Sequence, residues 1–151
     1  LTLWTLTHNS DFARAFIGLM GNVHAVGETY QVMSEEVLTW NQIHQTIADA
    51  LGVSFRPCYV PSTLLAMAPA YDFKGALLGD KANSVVFDTS KLCKAVPGYH
   101  ASMRFDQGVR NTLAYVMHHQ ECQSVDVEFD QWCDRVVEIM QEAERKIARM
   151  E

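Results

Sequence analysis

Residues 7 to 52 read THNSDFARAFIGLMGNVHAVGETYQVMSEEVLTWNQIHQTIADALG, and this stretch decides the fold. Asn9 or Ser10 offers a side-chain oxygen to the free amides of a new helix, along which Phe12, Phe16 and Leu19 recur on one face. Gly21 can close that helix in a left-handed cap. Gly27 to Met33, GETYQVM, predicts a strand, since Thr, Tyr and Val favour extended backbone and Gly27 punctuates its start. Thr39-Trp40-Asn41-Gln42 is a capping box, in which the Thr and Gln side chains satisfy orphan amides reciprocally. A second helix follows at once, with Trp40, Ile43, Ile47 and Leu51 on one face and Gly52 at its end.

Outward from this stretch the pattern continues. The alternation LTLWTLT over residues 1 to 7 suits a strand with one buried face. Ser54 to Val60 reads as a strand at an edge or with a bulge, because Pro57 cannot donate to a ladder. Pro61 fits the first turn of a helix over Ser62 to Ala68, limited by Pro69, and a short helix is expected around Phe73 to Leu78. Ser84 to Phe87 predicts a short strand, and Asp88 a cap for a helix over Thr89 to Ala95 that Pro97-Gly98 stops. Phe105, Val109, Leu113 and Val116 mark a helix beginning near Asp106. Finally Phe129, Cys133, Val136, Met140, Ala143, Ile147 and Met150 form a heptad seam on a long amphipathic helix over 127 to 150. That seam packs onto its own domain or, alternatively, pairs with a second copy.

Composition narrows the class. The chain has 151 residues, 48% of them hydrophobic, enough to bury about two-thirds of its unfolded surface, so a single domain over 1 to 151 is expected. The net charge is -6 and the Lys and Arg residues are scattered, which argues against nucleic acid as a partner. Cys58, Cys93, Cys122 and Cys133 form no C-x-x-C pair and read as reduced thiols in a cytoplasmic protein. No apolar run reaches the roughly 18 residues needed to span a bilayer, and the first residues lack the basic start of a signal peptide, so no membrane partner is expected. Leu1 in place of an initiating Met reads as the mark of processing or of a chosen boundary.

The order of these elements carries a resemblance. His8-Asn9-Ser10-Asp11-Phe12-Ala13-Arg14-Ala15 stands where NAD-dependent epimerase/dehydratases, the extended short-chain dehydrogenase/reductases, have a His-Val-x-Asp-x-Ala-like helix start, with Asn9 and Ser10 as departures. Gly27 to Val32 and Leu38 to Gly52 resemble the family's Gly-x-x-Tyr-x-(Ile/Val) strand and the helix after it. Val86-Phe87-Asp88-Thr89-Ser90-Lys91 resembles its Asp-x-Ser-Lys helix start, and Val96-Pro97-Gly98-Tyr99 takes the place of a Leu-Gly-Trp-x-Pro turn. Phe105 to Thr112 resembles its late Phe-x-x-Gly-(Ile/Leu)-Arg-x-Thr helix. The resemblance covers residues 1 to about 116 and implies an α/β fold, mostly helical with a few short strands, equivalent to the C-terminal substrate-binding region and lacking the Rossmann nucleotide-binding half.

It also implies what this chain does without. The family's Gly-x-x-Gly-x-x-Gly turn holds a dinucleotide pyrophosphate against a helix N-terminus, whereas Gly18-Leu19-Met20-Gly21 ends a helix instead of opening one. The family's Tyr-x-x-x-Lys exchanges a proton during hydride transfer, and none of Tyr30, Tyr59, Tyr71, Tyr99 or Tyr115 has Lys four residues on. No catalytic and no cofactor-binding residue is therefore assigned; NAD(P) is expected in a full-length parent, and this piece alone is expected to be inactive. The resemblance places four candidate substrate-binding residues. Trp4 falls four residues before His8, where many relatives put an arginine that approaches a sugar nucleotide, and an aromatic there favours a ring or an apolar group. Asp80 and Lys81 precede Ser84 in a region that lines the family's pocket and can orient a polar substrate.

Other constellations are weaker. His118-His119-x-x-Cys122 puts imidazole and thiol on one helical face, but a structural zinc site needs four ligands and no second pair follows, so no metal is assigned. His24, His44 and His100 are lone residues that read as surface histidines, and no nucleophile motif of a hydrolase is present. Two functions emerge: the substrate side of an epimerase/dehydratase acting on a sugar nucleotide or similar hydroxylated molecule, or a non-catalytic interaction module of the same shape. In the family, the strand resembling Glu28 to Met33 joins the nucleotide-binding sheet. Here that edge is expected to pair with a second copy or to be locally disordered, and homo-oligomers through it or through the C-terminal helix are the expected assembly.

Overall fold

In a computed structural model, residues 2–150 are described. The fold is mostly helical with one two-stranded sheet. Its elements are β1 (Leu3–Trp4), α1 (Asn9–Leu19), β2 (Leu38–Thr39), α2 (Trp40–Leu51), α3 (Ser62–Leu65), α4 (Ser90–Ala95), α5 (Phe105–His118) and α6 (Val127–Ile147). Two 3-10 turns, Val23–Ala25 and Gln120–Cys122, and a π-helical segment, Lys74–Lys81, complete it. The chain divides into two compact units, where the sequence reading treats it as one domain. The first comprises residues to Phe55 together with Lys81–Ala114, and the second comprises Arg56–Asp80 and the residues from Tyr115 onward.

The first unit holds every fully buried apolar side chain among the described residues: Ala15, Ile43, Ala48, Leu92 and Val109. β1 and β2 run antiparallel, Leu3 opposite Thr39 and Trp4 opposite Leu38. On the other side of β1, the Val85 amide donates to the Leu3 carbonyl and the Leu3 amide donates to Ser84 Oγ. The expected strand at Ser84 to Phe87 thus contributes one backbone bond and not a ladder. Of the expected strand over 1 to 7 only Leu3–Trp4 pairs, because β2 offers it two residues; Leu1 lies outside the described residues. Ser54 to Val60 is not a strand either: Pro57 removes a donor, and among the described residues the segment joins no sheet.

Gly27 to Met33 is the larger correction. It forms no strand, and beyond the turn at Gly27 it runs through Ser34 without turn or bend. The amides and carbonyls of Thr29 to Met33 have no backbone partner among the described residues. A ladder needs a second strand, and residue preference alone cannot supply one.

The helices follow their caps. The Thr39 side chain accepts from the Gln42 amide while the Gln42 side chain accepts from the Thr39 amide, so the capping box forms as expected, and Gly52 closes α2 with φ of 70°. Ile43 and Ala48 of α2 are buried, Trp40 and Ile47 half-buried, and Leu51 is exposed at the open end. α4 begins at Ser90 with the Asp88 carboxylate accepting from the Ser90 amide at 2.8 Å. α5 starts one residue before the expected position, and its first amide, that of Phe105, donates to the Glu36 carboxylate at 2.7 Å.

α1 packs by an unexpected face. Asp11 and Ala15 are buried and Gly18 lies against the Val96 side chain, while Phe12 and Phe16 are 51% and 54% exposed. Apolar periodicity says which face gains from cover. Here the small side chains of Ala15 and Gly18 allow close approach, and Asp11 anchors the helix by accepting from the amides of Ser102 and Met103.

The second unit is built on α6, whose Asp126 cap accepts from the Phe129 amide and which ends at Ile147, three residues short of the expected end. Phe129, Cys133, Val136, Met140 and Ala143 of the seam are half-buried, and Ile147 and Met150 are exposed. Tyr71, Phe73, Phe129 and Trp132 make a mutual aromatic cluster with ring centroids from 5.0 to 6.5 Å apart. Among the described residues no helix is long and apolar enough to cross a membrane.

Candidate functional site

The first unit contains a cavity of about 410 Å³. Three separate stretches build it: Leu6, Thr7 and His8 ahead of α1; Trp40, Ile43 and Ile47 from α2; and Met103, Arg104 and Phe105 leading into Gly108, Val109 and Thr112 of α5. Its walls are mainly apolar, with Thr7, His8, Arg104 and Thr112 as the side chains able to orient a ligand.

His8 is held in place by the helix it starts. Its Nδ1 accepts from the Ser10 amide at 3.2 Å and lies 2.7 Å from Ser10 Oγ, which puts the proton of the neutral ring on Nε2. The Cδ2 edge beside that nitrogen lies against α5 at Gly108, where a Cβ would come within 2.9 Å of it. Any side chain there must therefore displace the imidazole. Thr112 Oγ1 donates back to the Gly108 carbonyl at 3.1 Å, which leaves the oxygen lone pairs available as acceptors.

Arg104 carries the cavity's one formal charge, and two carboxylates match it: Glu36 at 3.4 Å and Asp106 at 3.2 Å. A cation already paired twice is a poor phosphate clamp. The lining suits a neutral ring with hydroxyl groups. Among the lining side chains the hydroxyls are those of Thr7 and Thr112, and the His8 Nδ1 is turned to Ser10 outside the lining, so the arrangement offers hydrogen-bonding groups that can bind and orient a molecule.

The four sequence-predicted residues fare differently. His8 lines the cavity. Trp4 stands one ring behind it: its indole is 5.5 Å from that of Trp40, a lining residue, and Lys81 Nζ lies 5.6 Å from the Trp4 ring centre, a cation-π contact. Trp4 and Lys81 are thus brought together. Asp80 falls in the second unit, the last residue before the division. Trp40, Arg104 and Thr112 were missed by sequence reasoning. Trp40 shows there only as part of an amphipathic face, and Arg104 sits in a loop with no motif of its own. Gly108 and Thr112 had a visible signal, as the Gly and the closing Thr of the Phe-x-x-Gly-(Ile/Leu)-Arg-x-Thr pattern.

The aromatic row extends along α2, Trp40 to His44 at 6.0 Å and His44 to Phe55 at 6.3 Å, with the His44 Nδ1 donating to the Trp40 carbonyl. His119 is occupied similarly, its Nδ1 2.7 Å from the Tyr115 carbonyl and its ring stacked on Tyr115 at 3.8 Å. Among the described residues no three His, Cys, Asp or Glu side chains are grouped to hold a metal ion. No family model, curated protein or solved structure matches the chain.

Proposed function

We propose that this chain is the substrate-binding C-terminal region of an NAD-dependent epimerase/dehydratase, taking the hydroxylated ring of a sugar nucleotide or a similar molecule. One observation supports this above the rest: the stretches at His8, Trp40 and Phe105, which carry the resemblance far apart in sequence, converge on one cavity. A chance likeness of short motifs has no reason to bring them together. In this reading Trp40, backed by Trp4 and Lys81, gives the ring a flat wall, and Thr112 and the His8 imidazole address its hydroxyls. The Gly-rich turn, the Tyr-x-x-x-Lys and the bound NAD(P) come from a nucleotide-binding half outside these residues, and without it the chain binds but does not turn over.

Two measurements test it. The reading frame upstream of Leu1 is expected to encode a Gly-rich turn and Tyr-x-x-x-Lys, and translation starting at Leu1 would sink the proposal. With the chain as it stands, a panel of nucleotide sugars is expected to shift the NMR signals of Trp40, His8 and Thr112, and NAD is not. Thr112→Trp, which fills the cavity, is expected to abolish those shifts. If no panel member moves those signals, or NAD alone does, the reading is wrong.

A further inference from the structure

We infer that the outer face of α1, the 3-10 turn after it and the unpaired segment Thr29 to Met33 together form a self-association surface that takes a second copy of this chain. This rests on observations separate from the cavity. Phe12, Phe16, Ile17, Met20, Val23 and Val26 are between 51% and 81% exposed, and the Phe12 and Phe16 rings stack on each other. The face continues into the unpaired segment, since one cavity of about 350 Å³ runs from Phe16 and Met20 to Glu28 and Tyr30. Monomers seldom leave so many large apolar side chains uncovered in one place.

Three properties favour a second copy over another partner. The first is area: at these exposures the six side chains present roughly 700 Å² per copy, so a symmetric pair buries roughly 1,400 Å², within the range of stable specific interfaces. The second is charge. The chain carries -6 overall, yet Arg14 is the one formally charged residue from Phe12 to Gly27, and it is bound to Asp11 and Ser102. Glu28 at the border is paired with Lys91 at 2.6 Å. Two acidic molecules can meet on this face without like charges opposing. The third is the backbone: an unpaired segment running without a bend is its own complement across a two-fold axis, because antiparallel pairing with its copy satisfies donors and acceptors on both sides. Tyr30 and Val32 are half-buried and Thr29 and Gln31 exposed, the alternation of a strand awaiting its neighbour.

Sedimentation velocity of the 151-residue chain over about 1 to 100 μM tests this, with hydrogen exchange read at Thr29 to Met33. A dimer is expected, with protection of those amides rising as it forms. Phe16→Glu, at an exposed position, is expected to weaken it by about 100-fold or more, since the symmetry buries two carboxylates. Gln31→Pro is expected to weaken it by removing a ladder donor. Ile139→Glu, on an exposed position of α6, is the control and is expected to leave it unchanged, with circular dichroism verifying the fold of each variant. A monomer at 100 μM overturns the inference. So does a dimer that survives Phe16→Glu, or one that Ile139→Glu dissolves.

Discussion

Asp11 shows how one side chain can set a helix. It is 1% exposed and accepts from the amides of Ser102 and Met103, the Ser102 hydroxyl and the Arg14 guanidinium. Burial, the largest single influence, pulls its pKa up; the Met103 amide, Arg14 and the Ser102 amide together outweigh it and hold the carboxyl below its usual 3.8. The sign of the consequence follows. A depressed folded pKa contributes stability that is complete above the unfolded value and is lost as pH falls through the folded one. Asp11→Asn is therefore expected to cost about 2 kcal/mol at pH 7, mostly through mismatched amide donors because Arg14 is half exposed, and clearly less at pH 3. Urea midpoints at the two pH values measure it, and an equal loss at both would contradict the account. Tyr99 makes the opposite case. Its hydroxyl is buried with no hydrogen-bond partner among the described residues, and burial, then the Asp11 charge, push the phenol above 10.0. Tyr99→Phe removes an unmet polar atom and is expected to leave stability unchanged or raise it by up to about 1 kcal/mol; a lower melting temperature would show a partner that the fold does not reveal.

At the scale of elements, local chemistry was legible and partnership was not. The capping box at Thr39 and Gln42 gave the start of α2 to the residue, and the Asp88 carboxylate binds the first amide of α4, because those bonds are made within three residues of sequence. Thr39→Ala is expected to cost about 1 kcal/mol and Thr39→Ser much less, as read by denaturant unfolding, since only the side-chain oxygen is at issue. The strands were overread. Gly27 to Met33, Ser54 to Val60 and Ser84 to Phe87 have strand composition, but pairing depends on residues far away, and among the described residues only Leu38–Thr39 forms a ladder with β1. The α1 face was misjudged for a related reason: what covers a helix is decided by Ser102 and Met103, 91 and 92 positions on from Asp11, and by Val96, 78 on from Gly18. The candidate site was legible in part. His8 and Thr112 stood in motifs, whereas Trp40 and Arg104 became lining residues only once three stretches met. Gly108 links both scales. Gly108→Ala puts a Cβ into the His8 ring, so it is expected to shift the His8 imidazole signals and disturb ligand-induced shifts in the cavity while α2 stays folded; unchanged His8 signals would mean the ring is not held against α5.

Over the whole molecule, stability is unevenly distributed. All five fully buried apolar residues belong to the first unit, and the second has no fully buried side chain among the described residues. Its cohesion rests on the cluster of Tyr71, Phe73, Phe129 and Trp132, where each ring pair adds about 0.5 to 1.5 kcal/mol beyond its area. Trp132 touches the other three rings, so Trp132→Ala takes out three contacts at once, about 2 to 3 kcal/mol at a half-buried site. For a unit with so little buried surface, that approaches its whole local stability. Hydrogen exchange followed by mass spectrometry is expected to show α6 less protected than α2 in the unaltered chain. In Trp132→Ala, α6 protection is expected to collapse while α2, anchored by Ile43 and Ala48, changes little. Equal loss in α2 and α6 would mean that the molecule melts as one body and that its small core serves both units.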